Sequence, residues 1–148
     1  RELYLDNDVA GDRYQVGGRS GSLSGSHAPM FVVGTLADHV APWRSVYKIH
    51  YQVDADVTFL LTSGGHNAGV VAPPDEPGHS YQVLSKAEDA PYVGPDEWLK
   101  LAPHIEGSWW PEWTNWLAVR SGAPCDQPPI GFGGTADLPD APGDYVHT

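Results

Sequence analysis

Two short runs of consecutive apolar residues stand out from a chain otherwise broken by polar, Gly and Pro positions. Met30-Phe31-Val32-Val33 is rich in β-formers and bounded by Pro29 and Gly34, and Val57-Thr58-Phe59-Leu60-Leu61-Thr62 is the second such run. Runs of this length without alternation predict strands buried on both faces of a parallel sheet. Between them the period changes. Pro42 suits the first turn of a helix, and Trp43, Val46, Tyr47 and then His50 or Tyr51 follow at spacings that put an apolar stripe on one face. Thr35-Leu36-Ala37-Asp38-His39 forms a polar turn after the first strand, and Ser63-Gly64-Gly65-His66 forms one after the second. The order is therefore strand, Asp loop, helix, strand, His loop. In open α/β sheets, ligands sit in the crevice outside the carboxyl ends of strands, where Asp38 and His66 are expected.

The remaining segments are less regular. Residues 1–28 read as a polar lead-in, with Tyr14-Gln15-Val16 extended up to Gly17-Gly18 and a Gly/Ser surface loop from Gly18 to Ser26. Residues 29–72 hold the Asp and His loops. Residues 73–122 read as a helical extension: Pro73-Pro74 and Pro77-Gly78 break regular structure, Tyr81–Leu84 is extended, and Asp96–Ala102 is a short helix behind Pro95. A second helix starts at Trp109 and runs through Leu117, with Pro111 early and Gly122 as its stop. Residues 123–148 form a Pro/Gly-rich tail without periodicity, expected to wrap on the surface or to be partly disordered. The chain opens at Arg1 without Met, and it has only three or four credible buried elements. The expectation is an α/β fold seen in part, namely the C-terminal portion of one longer catalytic domain.

Charge narrows the function. Lys and Arg number 8 against 19 Asp and Glu, a formal net charge of −11. So acidic a surface repels phosphate backbones, no basic patch relieves it, and nucleic-acid binding is not expected. The longest apolar stretch, around Val57–Leu61, is too short to span a bilayer. The single cysteine, Cys125, rules out an internal disulfide framework and suits a reducing cytosol. His27, His50, His79, His104 and His147 are scattered without metal-ligand spacing, and no metal site is expected.

A histidine of a hydrolase or acyltransferase takes a proton from a nucleophile and later returns it, while a carboxylate orients it and supports its cation. The chain order of the α/β-hydrolase triad is nucleophile, acid, histidine. Asp38 and His66 occupy the second and third places of that order, although any Asp and His after two strands would look similar. The surrounding residues are more specific. Val33-Gly34-Thr35-Leu36-Ala37-Asp38-His39-Val40-Ala41-Pro42-Trp43 and Ser63-Gly64-Gly65-His66-Asn67-Ala68-Gly69-Val70 resemble the Asp and His blocks of the poly(3-hydroxyalkanoate) synthases, including their separation of 28 positions. Pro95-Asp96-Glu97-Trp98-Leu99 with Glu106-Gly107-Ser108-Trp109-Trp110-Pro111-Glu112-Trp113 resembles the region after the His in the class I synthases, and Ala141-Pro142-Gly143-Asp144-Tyr145-Val146 resembles their ending.

The resemblance implies the last strands and helices of an α/β-hydrolase sheet with a C-terminal helical and loop extension. It implies polymerisation of (R)-3-hydroxyacyl-CoA into polyester with release of coenzyme A by a cysteine nucleophile. It also implies a cytoplasmic homodimer acting on its growing polyester at the surface of polymer granules, and no metal or redox cofactor. His66 would deprotonate the cysteine. Asp38 would orient His66 or help activate the 3-hydroxyl of the incoming monomer, and both roles stay open.

The chain departs from the family in one respect that matters. It contains no Gly-x-Cys-x-Gly elbow upstream of Asp38, and Cys125, between Pro124 and Asp126 and after His66, has the wrong order and context for a nucleophile. Alone, the chain is expected to be inactive. Its alternatives are a fragment of an esterase, lipase or depolymerase of the same fold, and a non-catalytic chain that binds a granule or a synthase. Three neighbours are candidate pocket residues, each with a plainer alternative. His39 lies near the pocket or shapes its loop; Trp43 lines a substrate channel or belongs to the core; Asn67 donates near the acyl site or stabilises a turn. The spacing of Trp109, Trp110, Trp113 and Trp116 favours a helix face packed on the domain over a polymer-binding surface.

Overall fold

A computed structural model describes residues 1–127 and 141–147. Its centre is a four-stranded mixed sheet of strands β3 (Met30–Thr35), β4 (Val57–Thr62), β5 (Ser80–Lys86) and β6 (His104–Glu106), side by side in that order. β3 and β4 run parallel from Met30↔Val57 to Thr35↔Thr62. β5 lies antiparallel to β4, and β6 antiparallel to β5. A parallel pair needs a crossover. Here it is made by helix α1 (Trp43–Val46), which tightens at once into a 3-10 turn over Tyr47–Tyr51. Helices α2 (Pro95–Leu101) and α3 (Trp110–Ala118) complete the body, both with Pro in the first turn as the sequence predicts.

The core divides along β4, whose six residues are all buried. Alternation sends Val57, Phe59 and Leu61 to one face, where they meet Trp43, Tyr47, Val53, Trp98 and Ala102. Leu60 points to the other face and meets Ala72, Tyr81 and Trp109. Helices α1 and α2 thus cover one side of the sheet and α3 packs on the other, an α/β layering. Phe59 anchors the first side, with its ring edge-on to Tyr47 at 4.9 Å and to Trp98 at 5.2 Å between centroids.

Several sequence expectations change on this frame. β3 is not buried on both faces: Met30 through Val33 are half-buried, because the strand lies at the edge of the sheet. The helix after Pro42 keeps one α-helical turn and continues as 3-10, a geometry that stacks residues three apart. Tyr47 and His50 therefore face the core together, ring centroids 4.4 Å apart. Residues 73–122 contribute β5 and β6 as well as two helices. In the lead-in, β1 (Gln15–Val16) and β2 (Arg19–Ser20) form a minimal hairpin. Its two-residue turn needs positive φ at both positions, which Gly17 (56°) and Gly18 (76°) supply. The loop-or-disorder reading of the tail falls largely on residues 128–140, outside the described residues. Among the described residues no helix is long and apolar enough to cross a membrane.

Candidate active site

The register of β3 on β4 brings the two loops together. Thr35 lies opposite Thr62, so both strands end at the same level and both loops leave from one end of the sheet. Two backbone hydrogen bonds continue the pairing past the strands: Leu36 N–H donates to Thr62 O at 2.9 Å, and Ala37 N–H donates to Gly64 O at 2.9 Å. Gly64 turns the chain with φ 92°, a conformation that favours glycine. His66 follows at once. Its Nδ1 donates to Asp38 Oδ2 at 2.9 Å across 28 positions of sequence.

Asp38 is held as a carboxylate on every side. Its side chain is only 7% exposed. Oδ1 accepts the backbone N–H groups of Val40 at 2.8 Å and Ala41 at 2.9 Å, an Asx turn built by the residues just after it. Oδ2 accepts from Thr35 Oγ1 at 3.1 Å in addition to His66. These donors favour the charged form and hold Asp38 well below the usual carboxylate range; the Ala41 amide acts most strongly, then His66, against the opposing effect of burial. The His66 side chain is 48% exposed, and its Nε2 edge has no protein partner among the described residues. A half-exposed imidazole fixed at Nδ1 by a buried carboxylate and open at Nε2 can exchange a proton with a group approaching from outside.

The other candidates fall elsewhere. His39 and Asn67 are exposed on the two loops. The backbone carbonyl of Asn67 accepts from Val70 N–H at 3.1 Å and Val71 N–H at 3.0 Å, so the residue closes the turn after His66. Trp43 is 7% exposed and packs its ring against Tyr47, Phe59 and Trp98, within the core and beneath the loop. Cys125 is exposed. Thr35 was not foreseen as a partner of Asp38. Its only sequence signal is a hydroxyl residue at the end of a strand three positions before the acid, a pattern too common to single out.

The pair is half-exposed on its His66 side and buried on its Asp38 side. A cavity of about 110 Å³ lined by Tyr47, His50, Leu84, Lys86 and Trp98 lies at the opposite end of β4, since Lys86 pairs with Val57, its first residue. Among the described residues no group of three or more His, Cys, Asp or Glu is placed to hold a metal ion.

No family model matches the chain. Curated relatives do. The poly(3-hydroxyalkanoate) polymerase subunit PhaC of Cupriavidus necator is 33% identical over 149 residues, covering 99% of this chain and 24% of that protein. The subunit of the same name from Rhizobium meliloti is 32% identical over 155 residues, again 99% of this chain and 23% of the relative. Poly(3-hydroxyalkanoate) polymerase 2 of Ectopseudomonas oleovorans is 36% identical over 120 residues, 80% of this chain and 20% of the relative. The chain thus spans about a quarter of the length of the curated relatives it matches.

Proposed function

Since this chain is homologous to the poly(3-hydroxyalkanoate) polymerases over almost its whole length, we propose that it supplies the acid and the histidine of a polyester-forming acyltransferase of α/β-hydrolase fold. The observation that carries this reading is the contact between His66 Nδ1 and Asp38 Oδ2, with the Nε2 edge left open. The proposed site is Asp38 and His66. His39 and Asn67 border it on the same loops, and Trp43 supports it from the core.

In the proposed acylation step a cysteine outside this stretch approaches His66 Nε2. The imidazole takes the thiol proton, and the thiolate attacks the thioester carbonyl of a (R)-3-hydroxyacyl-CoA. The C–S bond to coenzyme A breaks, and the leaving thiolate recovers the proton from His66, so CoA departs as the thiol. Asp38 keeps the imidazole in the Nδ1–H tautomer and stabilises its cation. Exchange of one thioester for another is nearly isoenergetic, which suits a thiolate nucleophile. The same reading extends to a homodimer at a cytoplasmic granule surface.

The test is release of free thiol from (R)-3-hydroxybutyryl-CoA by the longest protein that carries this stretch. His66→Gln is expected to lower the rate by on the order of 10²–10⁴-fold, as for loss of a general base. Asp38→Asn should cost a comparable factor while the fold is retained. The 148-residue chain alone should release no CoA. Release by that chain, or full activity of either variant, would remove the proposal.

A further inference from the structure

The turn that carries His66 is held by the start of α3. Three consecutive residues at the start of α3 donate side-chain hydrogen bonds to three carbonyls just downstream of that turn. Trp109 Nε1 donates to Gly69 O at 3.0 Å. Trp110 Nε1 donates to Val70 O at 3.0 Å. Ser108 Oγ donates to Ala72 O and also accepts the backbone N–H of Trp110 at 3.1 Å, which starts the helix. Ser108 and Trp109 are buried, and Trp110 is half-buried. The indoles thus do more than fill space: each aims its one polar atom at the same strip of backbone, 40 positions earlier in sequence.

Gly69 is the hub of this arrangement. Its N–H donates to Gly65 O at 2.9 Å and closes the turn containing His66. A Cβ at Gly69 would stand 2.7 Å from Ser63 O and 2.7 Å from Thr35 Cγ2, so its backbone is pressed against the residue whose hydroxyl donates to Asp38 Oδ2. Trp109 therefore pins the carbonyl of a residue that packs on Thr35, a donor to Asp38, and whose N–H bonds Gly65, the residue before His66.

We propose that Ser108, Trp109 and Trp110 form a positioning clamp that fixes the His66 turn and so sets the imidazole's alignment on Asp38. The clamp rests on the reading of Asp38 and His66 as a functional pair. It acts through backbone carbonyls, and none of its three residues touches the reacting groups. Its physical basis is that the 66–72 segment is otherwise a loop with an exposed histidine. Such a loop samples many conformations unless buried donors hold it, and small displacements at a catalytic group are costly.

The experiment reads the tautomer of His66 from its ring 15N shifts at alkaline pH, in intact protein labelled at histidine, with the His66 signal identified from its loss in His66→Gln. The wild type is expected to show one tautomer, Nδ1–H. Ser108→Ala removes a donor with little loss of volume, and Trp110→Phe removes one at a half-buried position. Both should move His66 toward a tautomer mixture while the His104 signals stay in place as a report on the fold. Ser108→Thr retains the hydroxyl and should keep the single tautomer. Trp109→Phe should give the largest shift, and the half-buried Trp110 carries the test if that buried substitution unfolds the chain. Wild-type signatures in Trp110→Phe and Ser108→Ala, alongside a lost signature in Asp38→Asn, would overturn the clamp and leave the pair standing. An unchanged signature in Asp38→Asn would overturn the pair, and the clamp with it.

Discussion

Individual residues here are constrained by single contacts, and two of them give sharp expectations. Gly69 has no room for a side chain, so Gly69→Ala forces the backbone away from Ser63 O and Thr35. Overpacking of this kind costs about 1–3 kcal/mol, which urea denaturation would detect as a lower midpoint at unchanged slope. His50 is the second. It is 8% exposed, and neither ring nitrogen has a hydrogen-bond partner among the described residues. Burial, with a smaller effect from Lys86, pushes the imidazole down from 6.5 to about 4. The folded protein therefore holds His50 neutral where the unfolded chain would protonate it. Stability from this group is complete above pH 6.5 and is lost as the pH falls from 6.5 toward about 4. The slope cannot exceed about 1.4 kcal/mol per pH unit for one proton. Asp38 acts in the same direction but lower, its contribution declining only as the pH drops below 3.8. Urea midpoints across the acid range should fall in the His50 window for the wild type and stay nearly level there for His50→Phe.

Among the elements, the packing of α2 on the sheet rests on Trp98. The side chain is 2% exposed and lies against Trp43, Tyr47 and Phe59. Trp98→Ala should cost about 3–5 kcal/mol, the usual range for deleting a buried aromatic. Trp98→Phe should cost much less. It loses part of the ring but also removes an indole N–H that has no acceptor among the described residues, and such an orphan is itself unfavourable by about 1–3 kcal/mol. Comparing the two variants by thermal unfolding separates volume from polarity. The α1 segment follows similar logic. Its apolar stripe was visible from the spacing of Trp43, Val46, Tyr47 and then His50 or Tyr51, of which the structure buries His50 and exposes Tyr51. The shift into 3-10 geometry was not, since either helix buries that stripe against the same core.

For the whole molecule, the consequential feature is the outer edge of β3. Among the described residues the strand pairs with β4 on one side only, and its residues Met30 through Val33 stay half-buried. An unpaired edge of this kind is a template for another strand. At the other end the sheet closes with β6, three residues long, which leaves little edge to pair. The isolated chain should therefore associate in a concentration-dependent way, visible by sedimentation velocity. A net charge of −11 opposes that association, so it should strengthen as salt is added. A monomer at every concentration and salt level would mean that the β3 edge is already covered.

Local chemistry was enough to read much of this protein from its residues. The uninterrupted apolar runs identified β3 and β4, and Pro95 and Pro111 marked the starts of α2 and α3, because strand burial and the first helical turn each select residue types directly; the run from Gly18 to Ser26 read as a loop, whereas Arg19–Ser20 pairs as β2. The blocks around Asp38 and His66 likewise pointed to the family found among the relatives. What the sequence did not decide depends on alignment between distant segments. The parallel register with Thr35 opposite Thr62 sets Asp38 beside His66, and the antiparallel addition of β5 makes β4 central. The packing of α3 turns two tryptophans that read only as packing residues, and Ser108, into donors aimed at the His66 turn. Hydrogen-bond partners 28 and 40 positions apart leave no periodicity in the chain; they exist only once the sheet and its covering helices have fixed where each backbone carbonyl points.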